Sequence, residues 1–487
     1  MTDSNASTVE RSSMNPHIDV GVFRRGRPWV STLMAIVFAF WTTFALCRDA
    51  SADVIPPAAA VPPTLTLNDA LRLFRAHGLD LLIAEAGVRS AEGAVTAAGA
   101  VQNPVVSASI GKNLTWSNTY ASGVDCSNDG ALCVPWSYGV GISDSAALED
   151  WLSGKRDLRL KVARNALAAA KMSRVDAVRT LTLQVKSAYL QVAQAQLVYV
   201  FAKEVDTTEA TTLKKFQDRY RGGAINEGDL QRIEVEKLEA AQAVDTARVA
   251  LRQARAGLAF LIGVRGDMPD FDVDPKVLNY SEPAWVQNVS TVGLLRTAVE
   301  HRPDLVSAAY LRASADAQIE LVKRQKIPDI TLGLNYAWGG FNGWSVDNSL
   351  ASPTVTFSVS APLPVFYQLQ GEQRQAEAQR DTNALQHAKT TAQVVNDVTT
   401  AVAALDGSKE LVQRMEGPRR EGGGLLESAQ GAFDAVATQY DKGAANLTDY
   451  LDALRTYIAT KNEYLGDLTS YWTAVFQLEA AVGKDLR

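Results

Sequence analysis

Two stretches decide the reading: Tyr220-Arg-Gly-Gly-Ala-Ile-Asn226 and Tyr440-Asp-Lys-Gly-Ala-Ala-Asn446. Each closes a helical run with glycine, which adopts the left-handed conformation a helix end needs. An aspartate follows three residues after each asparagine, at Asp229 and Asp449. There it falls in the first turn of a return helix, whose positive end favours a carboxylate. The two stretches therefore predict two helical hairpins with similar tips. Tyr220, Gly223, Asp229 and Gly263 recur as Tyr440, Gly443, Asp449 and Gly483, always 220 residues on. Nearer the start of each half, His77, Asp80, Ala84 and Pro104 recur as His301, Asp304, Ala308 and Pro328, always 224 residues on. Ordered pairs at near-constant offset indicate a duplicated unit.

Each unit reads as helix, strand, strand, very long helix, tight turn, helix. In the first, residues 152–221 contain one glycine, Gly154, and no proline. A continuous helix there is ~100 Å long at 1.5 Å per residue. Val178, Leu181, Val185, Ala188, Val192, Ala195 and Tyr199 recur at spacings of three and four, a coiled-coil seam. The last helix keeps that rhythm from Leu447 through Leu451, Leu454 and Ile458 to Val475, with Lys461 as its break. Such helices must pair lengthwise with each other or with other subunits. In the second unit Gly417-Pro418 and Gly422-Gly423-Gly424 interrupt the long helix.

The strands show a period of two. Apolar Val355, Phe357, Val359 and Ala361 alternate with Thr354, Thr356, Ser358 and Ser360. Tyr138, Val140 and Ile142 alternate with serines and glycines, Ile330–Trp338 repeats the pattern, and the segment after Pro104 has the same parity. One face is apolar and the other small and polar. In a soluble sandwich the apolar face meets a core; in a membrane barrel it meets lipid. Aromatics such as Trp116, Trp136, Tyr336 and Trp338 gather near these strands, as in interfacial girdles. Four strands cannot close a barrel, so a barrel requires several chains.

The 487 residues carry 48 Lys and Arg against 54 Asp and Glu, a net charge of −6. That balance sets nucleic acid aside as a partner. Four histidines and three cysteines argue against a metal-loaded or disulfide-dense scaffold. His77, His301 and His387 are isolated, and no nucleophile–base constellation or phosphate-cradling loop is present. The reading is of a non-enzyme without cofactor. Arg24, Arg25 and Arg27, the apolar run Val30–Leu46 and Ala50-Ser51-Ala52 together read as a signal peptide over residues 1–52. The apolar run is short for a membrane anchor. Leu46 suits acylation at Cys47 badly. This export signal tips the alternating strands towards the membrane.

With these features the chain resembles the TolC-like outer-membrane efflux family. Tyr-x-x-Gly-x-x-x-x-x-Asp occurs in both halves, and Tyr440-Asp-Lys-Gly443 with Asp449-Tyr-Leu-Asp-Ala453 is similar to that family's tip signature. The resemblance implies a mainly helical fold with a small membrane β-barrel. Three chains would share twelve strands, continued by an α-helical barrel through the periplasm. It divides the chain into a Pro/Ala-rich linker at 53–64, a first repeat at 65–263, a linker at 264–290 and a second repeat at 291–487. Strands are expected at about 104–113, 136–146, 328–340 and 353–364, with helical hairpins at 152–263 and 370–483.

The resemblance further implies a passive exit duct in the outer-membrane lipid, joined by a periplasmic adaptor to an inner-membrane pump. Heavy-metal cations or small toxic molecules are the expected cargo. A type I protein-secretion channel is the alternative within the fold, and a pore-free periplasmic coiled-coil scaffold the alternative outside it. Asp449, Asp452 and Tyr440 match positions that gate the periplasmic entrance, while Ala445 stands where some members carry a basic partner. Plain helix-start capping competes for Asp449, because Asp229 occupies its place in the other unit; at Asp452 the first unit has Arg232. Tyr220, Gly223, Asp229 and Gly443 are the tip positions expected to receive the adaptor. Cys126 and Cys133 lie in the loop between the first two strands, which the resemblance places outside the cell. An oxidising compartment favours a disulfide there; paired thiolates on a metal lack supporting His or Asp spacing.

Overall fold

The computed structural model describes residues 56–112, 136–144, 153–286, 290–339, 353–417 and 423–484. The signal segment, Cys47, Cys126 and Cys133 lie outside the described residues. From Pro57 onward the chain forms one compact unit. The first repeat contains α1 (Leu67–His77), α2 (Leu79–Gly99), β2 (Val105–Lys112), β3 (Trp136–Asp144), α3 (Lys155–Arg221) and α4 (Glu227–Leu261). The second contains α5 (Thr291–His301), α6 (Pro303–Gln325), β5 (Thr331–Gly339), β6 (Thr354–Ser360), α7 (Gln370–Glu416), α8 (Leu425–Asp441) and α9 (Leu447–Val482).

Where the sequence reads one helix before each strand pair, the structure has two. Gly78 and Arg302 both leave the helical region, at ψ 117° and 124°. At Arg302 the cause is Pro303, whose ring pushes the preceding residue into extended backbone. The 67 residues of α3 run unbroken because they include neither glycine nor proline. The matching helix of the second repeat stops at Glu416 and resumes at Leu425. A Cβ placed on Gly417 would collide with Gly424, and one on Gly424 with the backbone of Met415, Glu416 and Gly417, so the two helix ends meet there backbone to backbone.

Four strands form one antiparallel sheet in the order β2-β3-β5-β6. The pairings Ile110↔Tyr138, Tyr138↔Trp338 and Val140↔Tyr336 fix the register, and Leu334↔Phe357 continues it. All the alternating apolar residues therefore share one face, where Val106, Ile110, Val355, Phe357 and Val359 are exposed. The other face is small and neutral. Ser107 lies opposite Gly141, Ser109 opposite Gly139, and Gly333 between Ser143 and Ser358. β2 and β6 are each paired on one side only.

The main core lies around the middle of α3, where Val185, Tyr189 and Val192 meet the ends of α4 and α9. The stretches on either side of the first repeat are packed into it. β1 (Thr64–Leu65) pairs in parallel with β4 (Asp272–Val273), and Leu65, Phe271, Val273 and Leu278 are buried. The Tyr189 hydroxyl joins both, donating to Leu65 O (2.8 Å) and accepting from Asp274 N (3.1 Å). Two-residue strands carry no periodicity, so the sequence shows these segments only as linkers. Above the core α3 packs on α6, with Ser307 Oγ donating to Ala169 O (3.0 Å); below it α3 packs on α4.

Arg302 ties the second repeat together. Its guanidinium, 3% exposed, grips Asp304 through two bonds (3.0 and 2.6 Å) and reaches Asp397 of α7 (2.9 Å). Breaking a buried ion pair leaves uncompensated charge behind. Arg302→Met is expected to cost about 3 kcal/mol. The exposed pair Arg72–Asp69 should yield under ~0.5 kcal/mol on Arg72→Met. Chemical denaturation of the detergent-solubilised variants compares the two.

Candidate functional site: the helical tips

The two tips are built alike. Gly223 and Gly443 adopt positive φ, 72° and 77°, where a side chain would be strained. Ala224 N then donates to Arg219 O (2.9 Å), and Ala444 N to Gln439 O (2.8 Å). Each pattern satisfies carbonyls at the helix end. Asn226 and Asn446 cap the return helices, their Oδ1 atoms accepting from Asp229 N (2.8 Å) and Asp449 N (2.9 Å). Asp229 and Asp449 thus hold equivalent places in equivalent caps.

The hairpins are joined across the repeats by a small aromatic core. Tyr440 stacks on Phe216 of α3 at 5.3 Å between centroids and 3° between planes. The Arg219 guanidinium lies over the Tyr440 ring, 5.3 Å from its centroid, and Tyr450 completes the cluster 5.6 Å from Tyr440. Phe216, Ile233, Leu447, Tyr450, Leu451 and Leu454 are buried there. Lys215 and Arg219 approach Asp441 at 3.4 and 3.6 Å, exposed pairs that add little to the stacking. Burial pushes the Tyr440 hydroxyl up, against the pull of Arg219. Tyr220, its repeat equivalent, is exposed and outside this cluster.

Asp449 and Asp452 lie one turn apart on the exposed side of α9, opposite Tyr450, Leu451 and Leu454. Neither carboxylate forms an ion pair among the described residues. Arg455, the nearest cation along the helix, instead binds Glu236 at 2.8 Å and approaches Glu239 at 3.6 Å. The tip thus gathers Tyr440 into its core and turns both aspartates outward. Tyr220, Gly223, Asp229 and Gly443 are likewise on its surface. No group of three or more His, Cys, Asp or Glu side chains is placed to hold a metal among the described residues.

Sequence reasoning passed over one tip residue. Glu209 of α3 is fully buried; its Oε1 accepts from the Tyr450 hydroxyl (3.2 Å), and its Oε2 has no hydrogen-bond partner. The signal was available. Continuing the seam from Tyr199 in steps of three and four leads through Ala202, Asp206, Glu209 and Leu213 to Phe216, so two carboxylates fall on the seam; Asp206 is paired with Lys237 and Glu209 is the buried one. Glu236 does the same in α4, between Ile233 and Ala240, and is answered by Arg455.

The architecture and these sites can be set beside known proteins. The family model for outer membrane efflux proteins matches residues 70–264 and 294–484, one match per repeat. The chain belongs to the outer membrane efflux protein family. An outer membrane efflux protein is a passive duct and not an enzyme, set in the outer membrane with its helical part in the periplasm. Among relatives of this efflux protein, the pyoverdine export outer membrane protein OpmQ of Pseudomonas aeruginosa is 24% identical, with 81% of this chain and 80% of that one covered. The cobalt-zinc-cadmium resistance protein CzcC of Cupriavidus metallidurans is also 24% identical, over 88% of this chain and 92% of the other. Among solved structures, the CmeC outer membrane channel of Campylobacter jejuni aligns with a TM-score of 0.69 at 16% identity, covering 86% of this chain and 85% of that one. CusC aligns at 0.67 and 17%, covering 90% of this chain and all of the other. Both have the fold of this efflux protein.

Glu209 gives the efflux protein's tip a pH dependence. Burial, helped by Glu236 and opposed by Tyr450 and Lys237, pushes its carboxyl up to about 7 from an ordinary 4.5. Between those values the folded tip keeps a proton that the unfolded chain has released. The stability this group contributes is therefore intact below about 4.5 and falls as pH rises towards 7. Glu209→Gln should remove that slope and add about 2–3 kcal/mol at pH 8. Melting curves at pH 5 and 8 for both proteins test this, and equal slopes would count against it.

Proposed function

We propose that three copies of this chain form the exit duct of a tripartite efflux system. The observation that carries the proposal is the sheet: four strands with two unpaired edges and one continuous exposed apolar face. Joining β6 of one copy to β2 of the next, three times over, closes twelve strands and leaves no edge. The apolar face then meets outer-membrane lipid, and the serine and glycine face lines the lumen. Residues 1–52 act as the export signal, and the repeats occupy 65–263 and 291–487.

In this reading the long helices continue the duct towards an inner-membrane pump. A periplasmic adaptor docks at the tips around Tyr220, Gly223, Asp229 and Gly443. Asp449 and Asp452 narrow and charge the entrance, and Tyr440 holds the hairpins in their closed arrangement. Three copies of two unpaired carboxylates around one axis concentrate negative charge and favour cations. Heavy-metal cations or small toxic molecules are the proposed cargo, consistent with relatives named for cobalt-zinc-cadmium resistance, pyoverdine export and toluene efflux.

The purified protein, extracted in detergent, should have the mass of a trimer and form small cation-preferring channels in planar bilayers. Replacing both Asp449 and Asp452 with alanine should lower the cation preference and blunt block by polyvalent cations. Unchanged selectivity would place these carboxylates away from the pore. A monomer that needs no detergent would overturn the barrel.

A further inference from the structure

The segment between β6 and α7 carries an apolar run that no element covers among the described residues. Leu363, Val365, Phe366 and Tyr367 are all exposed, and Phe366 is the most exposed large apolar side chain among the described residues. In sequence, Leu363 and Val365 continue the every-second-residue series of Val355, Phe357 and Val359 in β6 and Ala361 just after it. Pro362 and Pro364 remove two backbone donors, which ends the ladder there. Val365 N then donates to Leu363 O (2.9 Å), closing a tight turn around Pro364.

The segment is held in place. The Tyr367 hydroxyl donates to Glu372 Oε2 (2.7 Å) and accepts from Gly371 N (3.0 Å), in the first turn of α7. A Cβ at Gly371 would strike that hydroxyl, so the contact needs glycine. Leu369 turns the chain into α7 at φ 60°, the one non-glycine residue with positive φ among the described residues. A leucine stays in that strained conformation only where its surroundings fix it.

We infer that Leu363, Val365 and Phe366 form a collar that inserts into the acyl chains of the periplasmic phospholipid leaflet, with Tyr367 at its boundary. The inference rests on the barrel reading above and extends it beyond the strands. Three observations favour lipid as the occupant. The collar follows directly in the chain on the apolar series of β6, which its Leu363 and Val365 extend. No charged residue occurs from residue 353 to Gly371, and charges begin at Glu372 and Arg374 as α7 starts. The aromatic pair is amphipathic in the sense an interface requires, with Phe366 bare and the Tyr367 hydroxyl turned to the polar side. Along the chain the order is thus hydrocarbon, aromatic, hydroxyl, charge.

Spin-label accessibility in phospholipid vesicles tests this, using the full chain with Cys47, Cys126 and Cys133 replaced by serine. A nitroxide is placed on Phe366→Cys, with Phe357→Cys on the apolar face of β6 and Thr356→Cys on its polar face as references. The expected result is the same high ratio of oxygen to nickel-chelate accessibility at 366 and 357, reversed at 356. Shielding of 366 from both reagents, with 357 lipid-exposed, would put a second copy of the chain on the collar and overturn the inference alone. Access of nickel to 366 would overturn it in favour of water. A label at 357 that does not favour oxygen would overturn the barrel reading and the collar with it. Val365→Cys provides a second collar position if Phe366→Cys does not assemble.

Discussion

A helix of sixty-seven residues cannot bury itself, and the rest of this structure follows from that constraint. α3 has buried residues from Lys155 to Phe216 and is far longer than a single core. It finds different partners along its course: α2 and α6 near the strands, the two short segments β1 and β4 at its middle, and α4 towards the tip. The middle is where most large side chains are fully enclosed, and Tyr189 pins both linkers there with one hydroxyl. Duplication supplies partners of matching length, since α9 is 36 residues and α4 is 35.

The tip depends on the same logic at smaller scale. Two hairpins of like sequence end side by side, and the aromatic core that joins them draws on both repeats. It is not symmetric. Tyr440 enters the core against Phe216, while Tyr220 stays on the surface. Equivalent sequence positions have therefore taken different physical roles, one as a stacking partner and one as exposed surface. The buried carboxylate Glu209 sits beneath this core, bonded through Tyr450 to the opposite repeat. A proton and an aromatic cluster thus share the junction between the hairpins.

Much of this was legible in the sequence because its signals are local or periodic. Alternation gave the four strands and their shared face; glycine and asparagine gave both tips; Gly417-Pro418 gave the break between α7 and α8. Features that depend on long-range approach were not legible. β1 and β4 are too short to show a period. The division at Gly78 and Arg302 was passed over because helical residues flank it on both sides, although Gly78 and Pro303 mark it in the sequence. Phe216 stands 224 residues before Tyr440, and nothing in either neighbourhood announces their stacking. The outward position of Asp449 and Asp452 follows from the α9 seam, yet the capping role of Asp449 and any role at an entrance use the same placement. Glu209 was legible as a charge in a seam and was passed over because seams are read for their apolar members.

The interruption between α7 and α8 has one more implication. Gly417 and Gly424 approach so closely that a side chain on either would collide with the other end. Whatever the chain carries between them departs and returns at nearly one point, so its length is uncoupled from the register of the helices. Natural variation in length can accumulate at such a point without disturbing the stack. For an engineer it is a port, where an epitope or a fluorescent reporter can be spliced into the wall of the duct while its two ends keep their own geometry.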